Sequence, residues 1–356
     1  MTLPDALTVL VGLGLATVLV GRVPRLLPTA RELRDVAVVI PARNEAHNLP
    51  GLLADLQRAA PAQLLVVDDA STDDTAEVAR HAGATVLAAG ERPAGWNPKS
   101  WAVHVGTAAV EHPVVVLLDA DVRLAPGGLA AVVAALDAMG GLLSVAPRHD
   151  TGGVVELASV PFNVVALLGA AAGRRPAAGG ARAAFGPCIA VRTADLTAVG
   201  GHAAVRGELL DDVALAHRFR ACGLGVSLRR GGSLVRYRMY PDGPVAIVQG
   251  WSKNIAAGAR RTPTWAVLAT VPFIGACALP LVRTATDLRA AAVLWLAVTV
   301  GSVPVVRAVA RPTAATALLP VLAVGFMAVT LRSTVLLVLR RPVRWKDRRL
   351  HPGARG

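Results

Sequence analysis

An α/β domain built on a mostly parallel sheet, flanked at both ends by transmembrane helices, is the architecture this sequence predicts. Three observations carry it. Between about residues 34 and 262, short unbroken apolar runs alternate with stretches of helical period. Strands that are apolar along their whole length belong to sheets buried on both faces. The two ends of the chain instead hold long uncharged apolar segments of membrane-spanning dimensions. Finally, the chain is 54% hydrophobic and only 17% charged, with a mean hydropathy of +0.51, whereas ordinary soluble chains carry about 25% charged residues.

The first apolar segment, Ala6–Val20, has no charge and approaches the lower spanning limit of about 17 residues. Asp5 precedes it, and Arg22, Arg25, Arg31 and Arg34 follow. That order is the reverse of a cleavable signal peptide. The positive-inside rule then predicts an N-terminus outside and a cytoplasmic chain from Arg22 onward. Gly12-Leu13-Gly14 is no dinucleotide fingerprint, because the third glycine and a preceding strand are missing.

Within the middle region the expected elements run in order. Val36–Ala42 is a strand, Ala46–Ala60 a helix capped by Asn44, and Leu64–Asp69 a strand. A polar turn, Ser71–Thr75, leads into the helix Thr75–His81, and Thr85–Ala88 is extended. Lys99–Val110 is helical, Val114–Asp121 a strand, and Pro126–Met139 and Asp212–Cys222 are helices. Pro244–Arg261 reads as an amphipathic helix. Val245, Val248, Trp251 and Ile255 share a face, and Lys253, Arg260 and Arg261 are able to reach lipid headgroups.

Three apolar segments follow: Trp265–Val282, Ala290–Val306 and Thr313–Leu331. After one N-terminal span, three more would carry the basic tail from Arg340 outside, against the positive-inside rule. Either Trp265–Val282, with Pro272 and Pro280, is re-entrant, or Leu331–Leu339 folds apart. Arg332 makes that last stretch a poor span, at on the order of 3 kcal/mol for a mid-bilayer arginine. The expected organisation is a membrane anchor and basic flank over 1–33, the α/β domain over 34–242, an interfacial helix over 243–262, a transmembrane bundle over 263–339 and a basic tail over 340–356. Together these make a multi-pass protein of the cell (inner) membrane with its 34–242 domain in the cytoplasm.

Charge and cysteine content narrow the partners. Lys and Arg number 37 against 24 Asp and Glu, a formal charge of +13. Such a balance fits nucleic acid or anionic lipid. The basic residues gather at the membrane flanks and tail, and aromatics are 4%, too few for base-stacking platforms. The expectation is therefore a bilayer partner and no nucleic acid. Cys188, Cys222 and Cys277 have no CxxC spacing and read as reduced thiols.

Acidic residues end the strands, the edge where open α/β sheets bind ligands. Asp68 and Asp69 close one strand, and Asp119 and Asp121 close another. Two residues apart on a strand, Asp119 and Asp121 would face the same way and repel unless a cation joins them. Hard oxygens favour Mg²⁺ or Mn²⁺, although an isolated pair of strand-end acids is more often merely solvated. Glu208, Asp211 and Asp212 gather at a helix start, as helix capping or as a site. Lys99, in the loop Gly95–Trp101, is placed either to meet a phosphate or to stay solvated.

Taken in order, Val39-Ile-Pro-Ala-Arg-Asn-Glu45, Val67-Asp-Asp-Ala-Ser-Thr-Asp73, Leu118-Asp-Ala-Asp121 and Leu210-Asp-Asp-Val-Ala-Leu215 resemble the family 2 glycosyltransferases. These have a GT-A, Rossmann-like fold. The loop Gly95–Ala102, the segment Gly250–Asn254 and the tail from Val343 to Arg349 are similar to membrane transferases that glycosylate carotenoids or work near hopanoids. The resemblance implies a catalytic 34–242 domain in which Pro41, Arg43, Glu45 and Asp69 hold the base and ribose. Asp119 would lie near the ribose and diphosphate, with Lys99 on the diphosphate. Asp121 would ligate Mg²⁺ or Mn²⁺, and Asp212, beside Asp211, would be the catalytic base. Gln249, Trp251 and Lys253 occupy the place of the family's Gln-x-x-Arg-Trp motif, which is absent. That departure favours single transfer over polymer synthesis.

The expected function is thus an inverting transfer from a nucleotide sugar, such as a UDP-hexose, to a hydroxyl or carboxyl group of a membrane lipid. A polysaccharide synthase of the same fold and a non-catalytic nucleotide-binding scaffold are the alternatives. The scaffold would be expected to have lost the acids that this chain keeps.

Overall fold

The computed structural model describes residues 1–172, 184–208, 210–241, 243–258, 264–339, 341, 343–345 and 348–350. In chain order the elements are α1 (Leu3–Gly21), β1 (Val36–Ala42), α2 (Leu49–Ala59), β2 (Gln63–Asp68), α3 (Thr75–His81), β3 (Thr85–Ala88), α4 (Pro98–Ala108), β4 (Val114–Leu118), β5 (Val122–Leu124), α5 (Gly128–Met139), β6 (Leu142–Ala146) and β7 (Arg148–His149). There follow α6 (Val160–Ala172), β8 (Cys188–Arg192), α7 (Thr193–Ala198), α8 (Asp211–Ala221), β9 (Val226–Arg230), β10 (Val235–Tyr237), α9 (Pro244–Gly258), α10 (Thr264–Leu268), α11 (Val271–Thr284), α12 (Leu288–Gly301), α13 (Val303–Val309), α14 (Leu319–Val338), β11 (Val343–Trp345) and β12 (Arg348–Leu350).

The described residues form two compact units, one within 1–23, 149–172 and 238–350, the other within 24–148 and 184–237. Residues 149–172 cluster in the same unit as the helices at the two ends of the chain.

The second unit is the expected α/β layer structure. Its seven-stranded sheet has the order β3-β2-β1-β4-β8-β6-β9. β1 pairs in parallel with β2 and with β4, β2 with β3, and β6 with β9. Only β8 runs against its neighbours β4 and β6. The unbroken apolar runs mark the central strands as anticipated: every residue of β4 and of β6 is buried. Gly106 lets α4 press on the sheet, since a Cβ there would fall 2.5 Å from Val39 Cγ1.

Two local expectations are corrected. Asn44 does not cap the following helix, which starts after Asn48. Instead Asn44 takes positive φ (51°) and its Oδ1 accepts from the Thr72 N–H at 2.8 Å, tying the loop after β1 to the loop after β2. The strand expected over Val114–Asp121 ends at Leu118, and the chain turns, with the Val122 N–H donating to the Asp119 carbonyl at 3.1 Å. The alternation rule for Asp119 and Asp121 therefore does not apply.

In the first unit, α1 starts before Ala6 because Thr2 and Asp5 form a reciprocal capping box. Asp5 also accepts from Arg283 at 2.6 Å. Leu3–Gly21 and Ala314–Val338 are long and apolar enough to cross a membrane, and α12 with α13, bent by 45°, makes a third if the pair is one span. Leu3, Leu10 and Leu331 lie exposed on the two long helices. Trp265–Val282 is divided between α10 and α11, and α11 has 14 residues. Leu331–Leu339 does not fold apart: α14 continues through Arg332, whose Nη1 donates to Ser252 Oγ at 2.7 Å. A guanidinium hydrogen-bonded to a neighbouring helix carries less of the cost that an unpartnered one in lipid would.

Gly12 proves to be a packing residue. A Cβ there would lie 2.2 Å from the Pro272 carbonyl oxygen on α11, whereas Gly14 has nothing within 4 Å. Gly12→Leu is therefore expected to destabilise the detergent-solubilised protein by about 1–3 kcal/mol, and Gly14→Ala to leave its unfolding midpoint unchanged. Equal midpoints for the two variants would refute the close approach.

Candidate functional site

The site begins where two central strands part. β1 pairs with β2 through Ala42 but with β4 only through Val39. Pro41 lies just beyond, with no N–H to offer β4. This is the C-terminal edge of the parallel strands at the point where strand order reverses, the ligand-binding position of open α/β sheets. A hollow there is lined by Pro41, Lys99, Val103, Leu117, Leu118, Asp119, Gly186, Ile189, His202, Asp211 and Asp212.

Lys99 is delivered by the start of α4. Asn97 caps the helix, its side chain accepting from the Lys99 N–H at 3.1 Å, and Pro98 occupies the first turn. Asn97 also fastens this loop to the segment before α8. Its N–H donates to the Arg206 carbonyl at 2.6 Å and its Nδ2 to the Glu208 carbonyl at 3.1 Å. Lys99 Nζ then meets Asp119 Oδ1 at 2.5 Å, with both side chains about a third exposed (37% and 29%).

Asp211 and Asp212 open α8, where anionic side chains complement the helix dipole. Asp212 Oδ1 accepts from the Val213 N–H at 2.9 Å. Burial, then the neighbouring Asp211, push the Asp212 carboxyl up to about 6, against the pull of Lys99. For Lys99, withdrawal from water disfavours the charge, but Asp119, Asp211 and Asp212 outweigh it and hold the ammonium charged. A raised carboxyl beside a fixed cation is the pattern of a base poised near neutral pH.

Arg43 and Asp69 meet one strand away. Arg43 Nη1 lies 3.9 Å from Asp69 Oδ2, and the Asp69 N–H donates to the Ala42 carbonyl at 2.9 Å. Burial raises the Asp69 carboxyl, partly offset by Arg43 and Arg92. The Glu45 N–H donates to Thr75 Oγ1 at 2.8 Å, and Glu45 Oε2 accepts from Asn48 Nδ2 at 2.7 Å.

The structure brings Pro41, Lys99, Asp119, Asp211 and Asp212 together at one sheet edge, but not all four of the aspartates singled out in the sequence. Asp119 and Asp212 line the hollow, and Asp69 and Asp121 are not among its lining. Trp251 has an inward-turned side chain. It is buried in its own unit, stacked on Phe162 at 4.6 Å with Nε1 donating to Ser159 Oγ at 3.2 Å. Gln249 shares its helix α9. The side chain of Lys253 lies outside the described residues, as do Arg260 and Arg261.

Among the lining residues that went unnoticed in the sequence, two meet the aspartates that open α8. His202 is one, and the paired glycines before it were the available signal. Gly186 is the other: a Cβ there would meet Asp212 Oδ2 at 3.1 Å and its Cγ at 3.3 Å. Any side chain at 186 therefore has to displace that carboxylate by a few tenths of an ångström.

Carboxylate oxygens are suitable donors for a divalent ion. Among the described residues no three His, Cys, Asp or Glu side chains group as a metal cage. Mg²⁺ and Mn²⁺ bound to nucleotides need none, because one or two carboxylates suffice where phosphates and water complete the shell.

Comparison with known proteins follows the geometry. The family model for Glycosyl transferase family 21 matches residues 75–353. A 4,4'-diaponeurosporenoate glycosyltransferase of Staphylococcus haemolyticus (strain JCSC1435) is 31% identical over 251 residues, 68% of this chain and 67% of that protein. The protein of the same name from Staphylococcus aureus (strain USA300) is 32% identical over 235 residues, and the match spans 64% of this chain and 63% of the relative. Among solved structures, the mannosyltransferase PcManGT from Pyrobaculum calidifontis, in complex with GDP-Man and Mn²⁺, aligns with a TM-score of 0.54 at 18% identity, covering 94% of this chain and 97% of that one. That likeness establishes the fold.

Proposed function

This chain belongs to glycosyl transferase family 21, a glycosyltransferase with the GT-A fold, and from that premise we propose that it transfers a hexose from a nucleotide sugar to a lipid acid or alcohol at a membrane surface. The observation that carries the proposal is the meeting of Lys99, Asp119, Asp211 and Asp212 in one hollow at the sheet edge. Relatives that bear the name of a carotenoid-like acid supply the acceptor class.

In this reading Pro41, Arg43, Glu45 and Asp69 hold the nucleoside, and Asp119 and Lys99 flank the diphosphate. Asp119 and Asp121 would hold Mg²⁺ or Mn²⁺, which when bound adds positive charge beside the leaving diphosphate. The acceptor oxygen attacks the anomeric carbon as the bond to the diphosphate breaks, through an oxocarbenium-like transition state, with inversion. The acceptor proton passes to Asp212. Withdrawal from water strengthens a lipid carboxyl's hold on its proton, so a lipid acid that arrives protonated needs the base as a lipid alcohol does. Lys99 stabilises the negative charge gathering on the leaving group.

The membrane-length helices and their exposed apolar side chains support an acceptor drawn from the bilayer. The domain organisation outlined from the sequence, with the sheet unit on the cytoplasmic face, belongs to the same proposal. Membranes holding the protein are to be incubated with several labelled nucleotide sugars and a panel of carotenoid acids, other lipid acids and lipid alcohols. Mass analysis is expected to find a single hexose on one lipid class. Label appearing only in soluble acceptors, or in a polymer, would overturn this reading.

A further inference from the structure

His202 sits in the wall of the hollow and no step above uses it. Gly200 and Gly201 both adopt positive φ (84° and 54°), a conformation that costs glycine little. The chain turns sharply there into the short 3-10 turn Gly201–Val205. His202 is 2% exposed, and its Nε2 lies 3.9 Å from Asp211 Oδ2. Its Nδ1 is buried without a hydrogen-bond partner among the described residues.

Such an orphaned atom in a site calls for an explanation, and the tautomer provides one. Burial pushes the imidazole down to about 4, against the pull of Asp211 and with Lys99 and His104 adding to the push, so the ring is neutral near pH 7. A neutral ring carries one proton. On Nδ1 it would be a stranded buried donor, and the Nε2 lone pair would face a carboxylate. On Nε2 the proton points at Asp211, and only a lone pair is left unpartnered. The second arrangement is the less costly. At 3.9 Å the contact is beyond hydrogen-bond length, and an approach of roughly 1 Å closes it.

We propose that His202 is a positioning residue: its Nε2–H, aimed at Asp211, fixes that carboxylate and through it the placement of Asp212 at the head of α8. Leu210, at the cap position of α8, makes no side-chain hydrogen bond to the helix start. The proposal rests on the glycosyl-transfer reading for the role of Asp212, and the imidazole–carboxylate pairing stands apart from it.

The test therefore has two arms on the full-length protein in detergent. In the kinetic arm, His202→Ala is expected to lower kcat by up to about 10²-fold, the scale of a misplacement of about 1 Å, with donor KM changed by no more than about threefold. His202→Gln, whose amide is able to donate from near the Nε2 position, is expected to recover most of that loss. Full kcat in His202→Ala, or equal impairment of both variants with a KM rise in step, overturns the proposal. In the second arm, ¹⁵N-histidine NMR, with His202→Gln for assignment, is expected to show a neutral Nε2–H tautomer whose signal moves in Asp211→Asn. An Nδ1–H tautomer, or indifference to Asp211→Asn, overturns the pairing. If the wild type glycosylates no lipid with any donor, the function proposed above fails, and the NMR arm alone decides the pairing.

Discussion

Replacing Asp212 with asparagine is expected to slow glycosyl transfer by about 10²–10⁴-fold, the range for loss of a positioned general base, while nucleotide binding persists. Asparagine keeps the shape and accepts from the Val213 N–H as the carboxylate does, so the variant isolates proton transfer from packing. Single-turnover rates and equilibrium binding of a nucleoside diphosphate separate the two effects. Near-wild-type turnover would remove Asp212 from the base role. In the wild type, kcat/KM is expected to fall as pH drops through about 6, where the buried carboxyl takes up its proton, because the protonated group accepts none from the acceptor. The same limb should be absent from the residual activity of the asparagine variant.

Lys99→Met should have the second largest effect, about 10²–10³ in kcat/KM, comparable to removing one preorganised charge-stabilising donor from a site. The methionine stem fills the space, but three carboxylates then share the hollow with no cation from α4. Lys99 is among the influences that lower the Asp212 carboxyl, so its loss moves that group further up. The acid limb of kcat/KM must therefore shift to higher pH. A Lys99→Met enzyme with the wild-type pH profile and a modest loss of rate would mean that the ammonium is a surface charge paired only with Asp119.

Much of this arrangement was legible in the residues. The continuous apolar runs Val36–Ala42 and Val114–Leu118, set between helical stretches, announce strands buried on both faces, as parallel sheets bury them. Acids at the ends of such strands then fall at the binding edge. What sequence could not supply was the turn after Leu118. A run that keeps its apolar and acidic character through Asp121 looks like one strand, and only the parting of the chain shows where it ends. Within Pro244–Arg261 the surroundings of Trp251 were illegible for a similar reason. A stripe with Trp251 at its centre looks the same whether it meets lipid or, as here, Phe162. Gly186 and His202 escaped notice because their importance lies in contacts with the aspartates that open α8, across turns that no local period reports. Arg332 was priced as though alone in lipid, while Ser252, eighty residues earlier, supplies its partner.

Soaking the protein with a nucleoside diphosphate and Mn²⁺ and determining the structure by cryo-electron microscopy or crystallography tests the central claim most directly. The account requires the diphosphate within hydrogen-bond reach of Lys99, the nucleoside along Pro41 to Glu45, and the Asp212 carboxylate facing the position of the anomeric carbon. Nucleotide density elsewhere on the chain, with the Lys99–Asp119 contact undisturbed and the hollow left untouched, would contradict it.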